Sequence, residues 1–142
     1  MKKINIIYWS GTGNTEKMAE AIRDGASLND VEVNLLNVTQ TEIEDITGAD
    51  AIALGCPAMG AEELEEGEME PFIESIESKL TGKKLALFGS YGWGDGEWMR
   101  NWENRMESLG AQLLETGLII NEEPDEEGLK KCNQLGKKLA DI

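Results

Sequence analysis

Five short apolar runs, interleaved with stretches of helical apolar spacing, constrain this chain more than any other feature. The runs are Ile4–Tyr8, Glu32–Asn37, Ala51–Gly55, Leu85–Gly89 and Leu113–Ile120. Helical patterns occupy Asn14–Ala26, Pro71–Leu80, Glu97–Leu109 and Glu126–Ala140, with a shorter helix expected over Glu42–Thr47. Strands that are apolar throughout need cover on both faces, and strands alternating with helices pair in parallel. The expectation is a doubly wound α/β fold, a five-stranded parallel sheet with helices on both faces. At 142 residues the chain suits one domain, residues 1–142, with a single core.

The helices show which faces turn inward. Phe72, Ile76 and Leu80 share one face, with Pro71 at a first-turn position where its missing N–H costs nothing. Trp98, Trp102, Met106 and Leu109 follow helical spacing, which favours a core role. In the last helix Leu129, Cys132, Leu135 and Leu139 form the apolar stripe.

Composition excludes several chemistries. There is no histidine, and Cys56 and Cys132 lie far apart in no metal-binding spacing. That leaves no basis for a zinc or iron–sulfur site, or for a Ser-His-Asp triad. Both cysteines read as small apolar residues in a reducing compartment, which points to the cytoplasm. No apolar run is long enough to span a membrane, and the N-terminus leads directly into a strand, without a signal peptide. The formal net charge of -15 opposes nucleic acid and anionic membranes and favours encounter with basic partners. Glu62, Glu63, Glu65, Glu66, Glu68 and Glu70 should make one edge strongly negative.

In open α/β sheets ligands bind beyond the carboxyl ends of the strands. The loops after strands 1, 3 and 4 are therefore the candidate site. The first, Ser10-Gly11-Thr12-Gly13-Asn14-Thr15, carries three hydroxyls, an amide and two glycines, and no Lys or Arg. Such a loop can wrap a phosphate with N–H and hydroxyl donors at a helix N-terminus. The missing cation favours a phosphate held as a handle over one that is transferred. No Gly-Lys follows, as a P-loop requires, and Glu16 stands where a dinucleotide fingerprint needs its third glycine. A plain helix cap by Ser10 or Asn14 is the alternative. The second loop includes Pro57-Ala58-Met59-Gly60-Ala61-Glu62, and the third Ser90-Tyr91-Gly92-Trp93-Gly94. Glycine lets the backbone approach a flat ligand, Trp93 or Tyr91 offers a ring to stack on it, and Met59 a polarisable face opposite. A phosphate cradle beside a planar sandwich suits a mononucleotide with a large aromatic ring system.

Taken together, Trp9-Ser10-Gly11-Thr12-Gly13-Asn14-Thr15, Gly55-Cys56-Pro57-Ala58-Met59-Gly60 and Leu87-Phe88-Gly89-Ser90-Tyr91-Gly92-Trp93-Gly94 resemble the short-chain, clostridial-type flavodoxins. The likeness extends through Glu70-Pro71-Phe72 and Asn121-Glu122-Glu123-Pro124-Asp125. It implies the strand order 2-1-3-4-5 that this fold shares with other doubly wound proteins. It also implies a tightly, non-covalently bound FMN. Ser10 to Thr15 would hold the phosphate, Met59 and Trp93 would flank the isoalloxazine, and Gly60 would present its carbonyl to flavin N5. Glu62 would contact the pyrimidine edge near N3, and Ser90 to Gly94 would line the phosphate and the N1/O2 side. Pro57 stands where some relatives carry Ser, and Ala61 where some carry Asp. The turn Met59-Gly60-Ala61-Glu62 suits a type II′ geometry, with glycine at the position of positive φ.

The function so implied is a low-potential one-electron carrier, shuttling between semiquinone and hydroquinone, rather than an enzyme. Its partners would be basic-surfaced reductases and electron acceptors, met transiently by a monomer. Two rivals differ in class: an FMN-dependent quinone or nitro-group reductase, which needs a substrate pocket over the flavin, and a non-redox phosphate-binding signalling module. A receiver-type module would want an acidic phosphoacceptor at the end of strand 3, where Gly55-Cys56 stands.

Overall fold

The computed structural model describes residues 2–28 and 30–142. Strand β1 (Lys2–Tyr8) leads into helix α1 (Asn14–Ala26), and β2 (Val31–Asn37) is followed by the four-residue helix α2 (Glu44–Thr47). Next come β3 (Ala51–Gly55), α3 (Met69–Ile76), β4 (Lys84–Tyr91) and α4 (Glu97–Ser108). The chain closes with β5 (Gln112–Leu113), β6 (Leu118–Asn121) and α5 (Glu126–Ala140). The sheet runs β2-β1-β3-β4-β5, with every pairing parallel and β6 also on β4. This is the expected 2-1-3-4-5 order.

Two apolar layers flank the sheet. On one face Ile4, Ile6 and Tyr8 of β1 pack with Met18 and Ile22 of α1 and Cys132, Leu135 and Leu139 of α5. On the other, Ile7 and Leu54 pack with Met69 and Ile73 of α3 and Trp98, Trp102 and Met106 of α4. The two tryptophans and Met106 are core, as their spacing predicts. Helices α1 and α5 approach until their backbones nearly touch. A Cβ added at Gly25 would fall 2.0 Å from the Asn133 carbonyl oxygen, and one at Gly136 equally close to that of Ile22. Glycine is the residue that fits there.

Three expectations need correction. The strand expected over Leu113–Ile120 is two strands. β5 meets Lys84–Leu85 and β6 meets Phe88–Tyr91, so two extra residues on the last strand bulge out between them. Gly117 marks the break, its N–H donating to Glu103 Oε2 at 2.7 Å. The second long helix starts at Met69 rather than Pro71, and a 3₁₀ turn, Glu77–Lys79, continues it. Its buried face is Met69, Ile73 and Ile76, with Phe72 half-buried beside it. Leu129 lies off the buried stripe of α5 and is exposed.

Candidate cofactor site at the carboxyl edge of the sheet

The loops after β1, β3 and β4 converge at one edge and line a cleft of about 250 Å³. Trp9, Gly11, Thr12 and Asn14 come from the first loop, and Pro57, Ala58 and Met59 from the second. Ser90, Tyr91 and Gly92 come from the third, and Glu122 from the end of β6. No cation is among these residues.

The first loop divides its labour. Ser10 Oγ accepts from the N–H of Gly13 at 3.1 Å and of Glu16 at 3.3 Å, so it does cap α1. Thr15 is buried and its hydroxyl is joined to Ser90. Thr12 and Asn14 remain to face the cleft. Gly13, just before the helix, takes a left-handed φ of 99°. Among the described residues, the backbone N–H groups of Gly11, Thr12, Asn14 and Thr15 have no protein acceptor. Unpaired donors at a helix start, backed by the helix dipole, favour an anion. Capping thus falls to Ser10, while Thr12, Asn14 and the unpaired N–H groups are left available to an anion.

The second loop is pinned from below. Cys56 is fully buried, its carbonyl accepts from Trp98 Nε1 at 3.1 Å, and its Sγ accepts from the Glu65 N–H at 3.4 Å. Burial pushes both free thiols up, Cys56 and Cys132 each to about 12, so neither is a reactive thiolate at neutral pH. The Ala58 N–H donates to the Ser90 carbonyl at 3.0 Å, tying this loop to the third. Met59 and Glu63 exchange backbone bonds of 2.8 and 2.9 Å around Gly60-Ala61-Glu62. The turn is therefore one residue longer than the expected Met59–Glu62. Gly60 has the expected positive φ, 49°, but Glu62 is also left-handed at 56°. The carboxylate explains the longer turn: Glu62 Oε1 accepts from the N–H of Gly96 at 3.2 Å and of Glu97 at 3.1 Å, capping α4. Such a cap offsets a left-handed cost of about 1 kcal/mol.

In the third loop the Tyr91 ring packs on Trp98, centroids 5.7 Å apart at 47°, so it belongs as much to the core as to the cleft. Trp93, next to the lining Gly92, is 65 % exposed, and neither it nor Gly60, Ala61, Glu62 and Gly94 lines the cleft directly. Gly60 instead lines an adjoining groove with Met59 and Leu64. Trp9 and Glu122 line the cleft without having been singled out from the sequence. Trp9 had a signal, a large aromatic directly before the phosphate loop. Glu122 had only its place beyond the last strand, where its φ is 56° and its N–H donates to the Tyr91 carbonyl at 2.7 Å.

Most of the acidic edge is internally bonded. Glu65 accepts from the N–H groups of Gly67, Glu68 and Met69 at 2.7 to 2.9 Å, forming the start of α3. Burial pushes its carboxyl up, but those three donors outweigh burial and hold it below the ordinary glutamate range. Glu70 meets the Arg105 guanidinium through two bonds of 2.8 and 2.6 Å, and that bonding holds its carboxyl low. Glu68 accepts from the Trp9 indole. Among the described residues only Glu63 and Glu66 of the six have no side-chain partner.

The donor set fits the FMN phosphate: four unpaired N–H groups, the Thr12 and Ser90 hydroxyls and the Asn14 amide, with no competing cation. Ala58, Met59, Tyr91 and Gly92 add apolar and backbone surface beside it, suited to a flat ring system. Among the described residues no cluster of metal-ligating side chains occurs, and no helix is long and apolar enough to cross a membrane.

Comparison with known proteins places the chain in a family. A family model described as Flavodoxin matches residues 6–136. The chain is 54% identical over 139 residues to the flavodoxin of Clostridium beijerinckii, covering 98% of this chain and 100% of that protein. It is 47% identical over 137 residues to the flavodoxin of Megasphaera elsdenii, covering 96% and 98%. The solution structure of two-electron reduced Megasphaera elsdenii flavodoxin superposes with a TM-score of 0.89 at 45% identity, covering 98% of this chain and 99% of that one. With the sheet order and the identity over nearly the whole chain in agreement, the chain belongs to the flavodoxin family of FMN-binding electron-transfer proteins.

Proposed function

We propose that this flavodoxin holds FMN non-covalently in the cleft between its three loops and passes single electrons at low potential between redox proteins. The observation that carries the site is the set of unpaired N–H groups at the start of α1, facing a cleft without cations. Thr12, Asn14 and Ser90 complete the phosphate cradle, with Gly11, Thr12, Asn14 and Thr15 giving backbone donors and Ser10, which accepts from the Gly13 N–H, fixing their geometry. Met59 on the cleft wall and the exposed Trp93 beyond Gly92 flank the ring system where it projects from the cleft, and Gly60, Ala61, Glu62, Gly92 and Gly94 border its edges. Pro57 and Ala58 form the wall between ring and phosphate. FMN, when bound, supplies the one-electron chemistry.

The protein sets how readily that chemistry runs. Glu62, Glu63, Glu66 and Glu122 surround the site, and added negative charge beside fixed carboxylates is disfavoured, which lowers the potential. The free carboxylates Glu63 and Glu66 would meet basic surfaces of reductases and acceptors, in transient encounters with a monomeric carrier. The two buried free thiols suit a reducing compartment such as the cytoplasm.

Binding and redox titration test the reading. The cofactor-free protein should bind FMN far more tightly than riboflavin, and the loaded protein should take up two electrons in separated one-electron steps. Equal affinity for riboflavin and FMN would overturn the phosphate cradle. Turnover of quinone by a nicotinamide cofactor without a separate reductase would overturn the carrier.

A further inference from the structure

We propose that Glu68 is a positioning residue for the cofactor cleft. Its carboxylate holds the indole of Trp9, and that indole braces the phosphate loop at Gly11. The inference rests on the phosphate cradle proposed above, and goes beyond it to a residue outside the cleft.

Trp9 connects β1 to the phosphate loop. Its backbone is fixed by the bond from its N–H to the Gly55 carbonyl at 3.0 Å, but its side chain is only half-buried. Two contacts settle the ring. Nε1 donates to Glu68 Oε1 at 2.9 Å, across 59 residues of sequence. At the other end the six-membered ring lies against Gly11, where a Cβ would stand 3.0 Å from Cη2 and 3.3 Å from Cζ3. The indole is thus a strut between the acidic loop and the phosphate loop, and it forms part of the cleft wall.

Glu68 is well placed to hold one end. Its own N–H donates to Glu65 Oε1 at 2.7 Å, and the next residue, Met69, is fully buried at the start of α3. Its backbone is therefore anchored although its side chain is exposed. An indole N–H has no acceptor capacity, so a single well-placed acceptor decides its orientation. A carboxylate makes that bond stronger than a neutral acceptor or water would. The competing role for Glu68 is one more negative charge on an acidic edge. The two roles separate cleanly, since one needs an acceptor at residue 68 and the other needs a charge.

Glu68→Gln keeps an acceptor and removes the charge, whereas Glu68→Leu removes both. The wild type and both variants are compared by affinity for FMN and for riboflavin. The Trp9 indole N–H resonance and its exchange rate are followed in the cofactor-free protein. We expect Glu68→Leu to weaken FMN binding about three- to tenfold, the worth of one hydrogen bond, and to weaken riboflavin binding less. Its Trp9 indole proton should shift upfield and exchange faster. Glu68→Gln, which keeps a weaker neutral acceptor, should fall between Glu68→Leu and wild type, and closer to wild type, in both respects. In a Trp9→Phe background, which has no donor, Glu68→Leu should add nothing. The proposal is overturned if Glu68→Gln is as impaired as Glu68→Leu, or if Glu68→Leu leaves affinity and indole resonance unchanged. The wild-type preference for FMN over riboflavin tests the phosphate cradle separately. The indole resonance tests the strut with no cofactor present.

Discussion

The hydroxyl of Thr15 lies 3.0 Å from that of Ser90, 75 residues away, and the Ser90 N–H donates to the same Thr15 oxygen at 3.3 Å. Both residues are buried, so this pair locks the first turn of α1 to the end of β4. With the Thr15 proton given to Ser90 Oγ, the Ser90 proton is free for an anion in the cleft. The phosphate loop and the third loop are therefore one unit before any cofactor arrives.

Thr12 and Thr15 lie three positions apart in one loop, yet they should behave differently. Thr15→Val leaves the buried Ser90 N–H without its acceptor and should cost about 1–3 kcal/mol of fold stability, read from denaturant midpoints. Thr12 is exposed and faces the cleft. Thr12→Val should leave stability nearly unchanged and weaken FMN binding by about 1–3 kcal/mol, with little change for riboflavin. Equal losses of stability in the two variants would contradict this division.

The acidic loop should open in acid. Glu65 and Glu70 both titrate below the ordinary glutamate range, Glu65 because three N–H donors outweigh its burial, Glu70 because of Arg105. A carboxyl depressed on folding stabilises the fold fully above the unfolded value of about 4.3, and the contribution fades as pH falls through the lower folded value. The N–H groups of Gly67, Glu68 and Met69 should thus stay protected from exchange at pH 5 and lose protection only below about pH 4. Loss of protection beginning above pH 5 would contradict the assigned bonding.

Much of this architecture is legible in the sequence, and the misreadings share a cause. The strands of the sheet centre are apolar on both faces, and their alternation with helices fixed the order of layers. Pattern reports burial, however, and does not report partners. The run from Leu113 to Ile120 is apolar enough for one strand, and the break comes from Glu103 of α4 accepting the Gly117 N–H. The six glutamates read only as a negative edge, whereas Glu62, Glu65, Glu68 and Glu70 are each also bonded to a backbone or side-chain donor. In the site, the three motifs converge on one cleft, whose lining also takes in Trp9 and Glu122, while Trp93, next to the lining Gly92, is exposed.

Charge steering must therefore be tested on the glutamates that carry no structural bond. The double variant Glu63→Gln, Glu66→Gln should slow association with a basic redox partner a few-fold at low salt, with the difference vanishing at high salt. Its thermal stability should stay within about 0.5 kcal/mol of wild type, as for other surface changes. Glu65→Gln or Glu70→Gln should instead lower stability, by about 1 kcal/mol for the Arg105 pair. A rate unaffected by either the substitutions or ionic strength would remove the docking role from this edge.

Gly60 offers the sharpest test of the second loop. Its φ is 49°, and a Cβ built there meets no atom within 4 Å. A side chain has room, so any cost of substitution lies in the backbone. For an L-residue in the left-handed region that cost is roughly 1 kcal/mol, and more for a β-branched one. The turn around Gly60 is closed by the Met59–Glu63 pair and held at its far end by the Glu62 cap on α4. It cannot relieve such strain by sliding without breaking one of them. The flavodoxin likeness implies that the Gly60–Ala61 peptide reorients on one-electron reduction and turns the Gly60 carbonyl to flavin N5. The type II′ geometry of the reduced state is the one that needs positive φ at Gly60, so the strain then falls on the reduced state. Gly60→Thr should then lower the potential of the first electron step by about 40 mV or more, the equivalent of roughly 1 kcal/mol for one electron. Affinity for oxidised FMN should change less, and Gly60→Ala should fall between the two. Potentiometric titration with parallel binding measurements decides the matter. An unchanged potential, or a loss of oxidised FMN affinity as large as the shift in potential, would mean that the turn keeps one conformation throughout.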